Sequence, residues 1–320
     1  MTMDPTLASP ISLERVEEAA ERIKTHIRRT PCLRTRFARD PIHPNLMLKL
    51  ESLQVTGSFK ARGAINAVFS LPEDAVRRGI VTASGGNHGI AVAYAGFAAK
   101  TSTVVYLPKQ TATAKIQALE SWGAEVVLTG DVWDEANAAA LARAETDGLT
   151  YVHPFSDPNV IAGQGTVARE MLKQSSQIDT VLIGIGGGGL ISGVASAAKA
   201  IKPEIKVIGV EPIGAPTLKR SLEAGKLVTL QSINTDAMTL APKRSAQRNL
   251  DIIRQVVDDI VLVDDDAMRS SARWLFQEMG IAAELSGAAA LAALRSGAVS
   301  VANDQTVCAV VCGRGSDGMT

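Results

Sequence analysis

The 320-residue chain sets 33 Lys+Arg against 33 Asp+Glu and is 46% hydrophobic but only 4% aromatic. This balance gives no electrostatic reason for a nucleic-acid or anionic-membrane partner, and so few aromatics argue against base stacking. The N-terminal stretch MTMDPTLASPISLERVEEAAERIK has no apolar signal core, and no run of about 18 apolar residues occurs anywhere, so a cytoplasmic chain without membrane spans is expected.

In chain order, Ser12 reads as the N-cap of a first helix with Glu14 in its first turn. Arg15 at the third position makes this a plain cap rather than a capping box. Strands are expected at LMLKLE (46–51), GIVTAS (79–84), STVVYL (102–107), AEVVLTG (124–130), TVLIGIG (180–186), KVIGVE (206–211) and TVCAVVCG (306–313). Between them lie the helical runs NHGIAVAYAGFAAK, ATAKIQALESWG and LISGVASAAKAIK. Alternation of β-branched strands with alanine-rich helices predicts an α/β fold with a mostly parallel sheet. A βαβαβ-like block from Gly79 to Tyr151 suggests a smaller lobe, and HPFSDPNVIAG (153–163) reads as a loop returning to the larger one. Two lobes with a cleft between them suit a small-molecule site.

Three cysteines are an odd number for a disulfide framework and point to a reducing compartment. Four residues along a strand place Cys308 and Cys312 roughly 13 Å apart, too far to share a metal ion.

Three motifs carry chemistry. In ESLQVTGSFKARGA, Lys60 stands between Phe59 and Ala61 after small flexible residues, unlike a lysine on a solvated face. In TASGGNHGIAVAYA, the run Ser84, Gly85, Gly86, Asn87 and His88 follows a strand and opens a helix. The amides there suit a carboxylate, although Ser84 or Asn87 as a simple cap, and His88 as a packed histidine, are equally ordinary roles. In TVLIGIGGGGLISG, four glycines (Gly186, Gly187, Gly188, Gly189) and Leu190 link a buried strand to a helix N-terminus, an arrangement for phosphate. Gly184, Gly186 and Gly189 also satisfy G-x-G-x-x-G, with Glu211 closing the next strand, so a dinucleotide enzyme stays open on this motif alone.

Taken together, TGSFK, SGGNHG and GGGG resemble the fold type II pyridoxal-phosphate enzymes (tryptophan synthase beta-like), in the group of threonine and serine dehydratases and serine racemase. The likeness runs in order from PCLRT (31–35) through HPFSDPNVIAGQGTVARE (153–170) to VDDIVLVDDD (257–266). It implies a two-lobed α/β fold, with 1–52 and 153–320 forming the large cofactor-binding domain and 53–152 a small domain inserted in it. It implies an ammonia-lyase acting on a β-hydroxy amino acid (threonine, serine or a relative such as hydroxyaspartate), in a homodimer. An amino acid racemase is the alternative within the group, a β-replacement synthase comes third, and an idle cofactor carrier is the rival outside catalysis. Intact Lys60 and the carboxylate loop speak against the carrier.

By the same resemblance, Lys60 forms the Schiff base to pyridoxal 5′-phosphate and later serves as the Cα base. Phe59 packs beside it, Asn87 bonds the cofactor's 3′-oxygen, and Gly186–Gly189 with Leu190 cradle its phosphate. Ser84, Gly85, Gly86, Asn87 and His88 form the substrate-carboxylate loop. Cys312 faces the pyridine nitrogen, where a neutral thiol holds no ring proton as an aspartate would. That softened electron sink favours prompt β-elimination.

Glu211 and the Ala215 carbonyl match a site where several relatives bind Mg2+ or Ca2+, but Thr217 stands where those relatives add a carboxylate. Thr235 and Ala237 also depart from the A-D-G pattern of dehydratases while Asp236 keeps it, and 238–249 lacks their Pro-Gly pair. A substrate pocket of altered shape is expected there.

Overall fold

The computed structural model describes residues 8–319; residues 1–7 and 320 of the expected large domain lie outside the described residues. The strands are β1 (Cys32–Arg34), β2 (Leu46–Leu50), β3 (Ile80–Ala83), β4 (Thr103–Leu107), β5 (Glu125–Leu128), β6 (Thr150–Tyr151), β7 (Ile178–Gly184), β8 (Lys206–Pro212), β9 (Asp259–Val263) and β10 (Thr306–Val311). The helices are α1 (Leu13–Ile23), α2 (Lys60–Phe69), α3 (Glu73–Arg78), α4 (Asn87–Ala99), α5 (Thr113–Glu120), α6 (Trp133–Asp147), α7 (Pro158–Gln174), α8 (Gly189–Ile201), α9 (Thr217–Glu223), α10 (Gln247–Val256), α11 (Asp265–Met279) and α12 (Leu285–Arg295).

All seven expected strands form within two residues of their expected bounds. β1 and β6 are too short to show a period, and β9 is hidden among the acids of VDDIVLVDDD. The expected loop 153–163 is corrected: α7 begins at Pro158. Asp157 caps it by accepting from the N–H groups of Asn159 (2.6 Å) and Val160 (3.1 Å). The local signal was present, since a capping acid followed by proline at the first helical position starts a helix. Ser12 caps α1 as expected, accepting from Arg15 N–H.

Six strands form one sheet in the order β1-β2-β10-β7-β8-β9, and four form a second in the order β5-β4-β3-β6. Among the strand pairs of the described residues, only β1–β2 is antiparallel. The large sheet is covered on both faces. α1, α7, α8 and α10 build one core layer against it, and α11 and α12 build the other. This explains why β10 is buried along its whole length and reads as unbroken apolar sequence. Cys308 and Cys312 sit in the first of these layers as packed thiols. α2 packs against both α7 and α4, and so stands between the two sheets.

Candidate active site

The stretch before Lys60 clips onto the end of β10. Arg314 N–H donates to Gly57 C=O (2.8 Å), Phe59 N–H donates to Cys312 C=O (3.1 Å), and Ser58 bridges Gly313 in antiparallel fashion. Gly57 takes φ +82°, a conformation that L side chains resist, and this gives the small residue there its purpose. Lys60 then opens α2, its Nζ donating to the Pro154 carbonyl at 2.8 Å. Burial lowers its amine to about 8, with Cys312 and Glu284 nearby acting in the opposite sense.

A buried charge cluster and a close helix crossing hold that helix start. Fully buried Arg62 grips Glu51 with Nε–Oε2 at 2.7 Å and Nη2–Oε1 at 2.8 Å. It also reaches Glu170 on α7 (3.2 Å), which pairs with buried Lys49 at 2.5 Å. Removing any one member would strand a buried charge, so the quartet is rigid. α2 and α7 cross on glycines, and a Cβ on Gly163 would lie 2.7 Å from Gly63 Cα.

The glycine loop follows β7 and packs on the segment that holds Lys60. A Cβ on Gly187 would meet the Phe155 ring at 2.2 Å, and one on Gly189 would meet the Phe155 carbonyl at 2.7 Å. Asn249 donates to the carbonyls of Gly187 (2.6 Å) and Phe155 (3.0 Å), and Ser245 donates to Gly187 C=O (2.9 Å). With these carbonyls tied back, the N–H groups of Gly186, Gly187 and Gly188 meet no protein acceptor among the described residues. Free amides ahead of the 13-residue helix α8 form a cradle that fits a phosphate.

On the opposite side, Ala83 ends β3 and the SGGN turn leads into α4. The Ser84 hydroxyl accepts from Gly86 N–H (3.3 Å), and the N–H groups of Asn87 and His88 at the helix start meet no protein acceptor among the described residues. His88 is buried, and its Nε2 lies 3.0 Å from the Val152 carbonyl. Burial and the neighbouring Lys60 hold its imidazole down to about 3, so it is a neutral packing histidine. His153 accepts at Nδ1 from Phe155 and Ser156 N–H and is likewise held neutral by burial, at about 4.

Glu284, which the sequence reading did not single out, faces this loop. Asn87 Nδ2 donates to Glu284 Oε1 at 2.8 Å, and Thr239 lies within 3.3 Å of the same oxygen while bonding the Ser286 hydroxyl at 2.5 Å. Burial raises the Glu284 carboxyl to about 7. The only local hint is an acid directly before the alanine-rich run LSGAAALAALR, where it occupies the N-cap position of α12. Nothing local indicates that it meets Asn87. Phe155, Asn249 and Ser286 were missed for the same reason.

Lys60, Phe59, Asn87, the glycine loop and Cys312 are thus gathered at the carboxyl ends of the two sheets, where open α/β folds bind ligands. The Cys312 thiol donates to Ser286 C=O (3.4 Å), and burial pushes its titration well up, so it is a neutral donor. Glu211 is used otherwise than the resemblance implied. Its two oxygens accept from Leu218 N–H (2.8 Å) and Lys219 N–H (2.9 Å) at the start of α9, and the Thr217 hydroxyl donates to Pro242 C=O (2.8 Å). Among the described residues, no group of three or more His, Cys, Asp or Glu is placed to hold a metal ion. A hard cation needs several oxygens that are free to turn toward it, and these residues do not fit one.

Comparison with known proteins agrees with this geometry. A family model described as pyridoxal-phosphate dependent enzyme matches residues 23–313. The chain is 38% identical to an L-threonine ammonia-lyase of Geobacter sulfurreducens over 92% of its own length and 73% of the relative's. It is 38% identical to a serine racemase of Oryza sativa subsp. indica, covering 88% of this chain and 83% of that one. The processed form of threonine deaminase isoform 2 from Solanum lycopersicum superposes with a TM-score of 0.90 at 33% identity, over 98% of this chain and 88% of that chain.

Proposed function

Since the chain belongs to the pyridoxal-phosphate dependent enzyme family, we propose that it is an ammonia-lyase that dehydrates a β-hydroxy amino acid to a 2-oxo acid and ammonia. Threonine and serine are the first candidates, and hydroxyaspartate the next. The observation that carries this reading is a buried amine held at about 8, flanked by two helix-starting turns whose backbone N–H groups meet no protein acceptor among the described residues. Pyridoxal phosphate, when bound, supplies an electron sink that makes the substrate Cα–H acidic and lets the β-substituent leave.

The residues divide the remaining work. Lys60 would hold the cofactor's aldehyde carbon until the substrate amine displaces it. Freed, and with its hold on a proton weakened by burial, its Nζ would take the Cα proton. The amides of Gly186–Gly189 and Leu190 would hold the phosphate, and the Cys312 thiol, turned from the Ser286 carbonyl, the ring nitrogen. The Ser84–His88 turn would orient the substrate carboxylate, with Asn87 aimed by Glu284. The β-hydroxyl departs as water after protonation, and the released enamine tautomerises and hydrolyses to oxo acid and ammonia.

Racemisation needs a second acid–base group on the far face of Cα. In the racemases that this chain resembles, a serine at the position of Gly85 serves that face; Gly85, with no side chain, supplies none, and this favours lyase over racemase. We assign no cation to Glu211 and Ala215. The two sheets are read as the lobes 53–152 and the remainder, and the chain as a cytoplasmic homodimer.

The test is direct. The cofactor-loaded enzyme is incubated with L-threonine, L-serine and 3-hydroxyaspartate, and ammonia and oxo acid are measured in equal amounts. Lys60→Ala should abolish both. Substantial ammonia release by that variant, with no amine added, would overturn the role of Lys60. Sedimentation of the loaded enzyme decides the dimer.

A further inference from the structure

The small sheet contains a gap in its hydrogen bonding next to the substrate loop. β3 and β6 pair in parallel, with Ile80 opposite Thr150 and Val81 opposite Tyr151. Their ladder alternates in steps of two: Thr150 N–H donates to Gly79 C=O (3.0 Å), and Val152 N–H to Val81 C=O (2.9 Å). The next donor in the series is residue 154 and the next acceptor is Ala83 C=O. Residue 154 is proline, which has no N–H. The ladder stops one bond short, at the peptide from which Ser84 departs.

Another element fills the vacancy. Trp133, the first residue of α6, donates its indole Nε1–H to Ala83 C=O at 2.8 Å. Ala83 is fully buried, so an unpaired carbonyl there would be costly, and no backbone N–H reaches it from the β6 side. Trp133 remains nearly half exposed as a residue (46%), so burial alone does not account for its position. Pro154 serves both sides of the arrangement: it withholds an N–H from Ala83 and offers its carbonyl to Lys60.

We propose that Trp133 is a positioning residue whose indole N–H replaces the missing ladder donor and fixes the Ala83 peptide, and with it the Ser84–His88 turn that receives the substrate carboxylate. The proposal deepens the ammonia-lyase reading and rests on its assignment of that turn. Trp133 touches no reacting atom. It acts by keeping the last peptide of β3 from rotating, so that the free amides of Asn87 and His88 stay aimed into the cleft.

The experiment uses the cofactor-loaded enzyme with Trp133→Phe, and in parallel with 3-benzothienylalanine at position 133, which keeps the ring shape and lacks the N–H. Amide exchange of peptides spanning 82–90 is followed by mass spectrometry, alongside KM and kcat for the substrate that is turned over. Both variants should exchange about fivefold faster at 84–88 and show KM raised about fivefold to tenfold, with kcat within twofold and the visible absorbance of bound cofactor unchanged. Wild-type exchange and KM in both variants would overturn the proposal, as would a fall in kcat with KM unmoved. The carboxylate assignment is read separately in the wild type with saturating 2-methylalanine, which has a carboxylate but no Cα–H to lose. Protection of 84–88 supports that assignment. If 84–88 stays unprotected while both variants still loosen it, the carboxylate reading falls and the Trp133 latch stands.

Discussion

Asn87 donates to Glu284 at 2.8 Å, joining two residues 197 positions apart: one opens α4 beside the small sheet, and the other stands at the N-cap position of α12 against the large one. The bond fixes how the amide of Asn87 points. It also places a buried acid within range of Lys60, and the acid's titration follows from that burial.

The first prediction concerns this acid. The Glu284 carboxyl is raised from an ordinary 4.5 to about 7. Between those values the unfolded chain has lost the proton and the folded chain keeps it. The group's contribution is therefore complete below about 4.5 and is lost as pH rises through about 7. Glu284→Gln cannot titrate. Melting curves of the cofactor-free proteins should show the wild type losing about 2–4 °C relative to the variant between pH 4.5 and 7.5. A constant difference across that range would place the Glu284 carboxyl in an ordinary, solvated setting.

Gly187→Ala should weaken cofactor binding by about tenfold or more, since the new Cβ meets the Phe155 ring at 2.2 Å and the loop must shift. Equilibrium dialysis of pyridoxal phosphate gives the measurement. Adding Phe155→Ala should recover part of the loss, because the clash is with that ring. Unchanged affinity in Gly187→Ala would remove the loop from the phosphate site.

The unmodified enzyme should dehydrate with little or no racemisation, for want of a far-face acid. Gly85→Ser should add detectable racemisation. The structure has room for it: a Cβ at Gly85 lies 3.2 Å from Leu107 Cδ2, 3.6 Å from Thr111 and 3.9 Å from Lys115, so only one methyl must yield slightly. Chiral chromatography of residual substrate reads the result. Rapid appearance of D-substrate with the unmodified enzyme would show that another group serves the far face.

Chelation should leave activity and Tm within error, because the Glu211 carboxylate already accepts two helix N–H groups and Thr217 donates to Pro242. A sharp loss in EDTA that magnesium restores would mean that these bonds rearrange around a cation.

Local chemistry in the sequence determined much of this molecule. Seven strands, the cap of α1 and three loop motifs are legible because periodicity, capping and glycine runs act over a few residues. Lys60 stood out because no solvated-face lysine sits between Phe59 and Ala61 after Thr-Gly-Ser. Tertiary structure alone decided which groups meet. Gly57 and Ser58 read as flexible and are pinned at the end of β10; Glu211 read as a cation ligand and caps a helix; Glu284 and Trp133 carried no local signal of their role. Each of these depends on a partner more than five residues away, and most on one 50 or more away. A chain encodes its short-range preferences residue by residue, but an unsatisfied carbonyl or a buried carboxyl arises only when folding has removed the water and chosen what stands in its place.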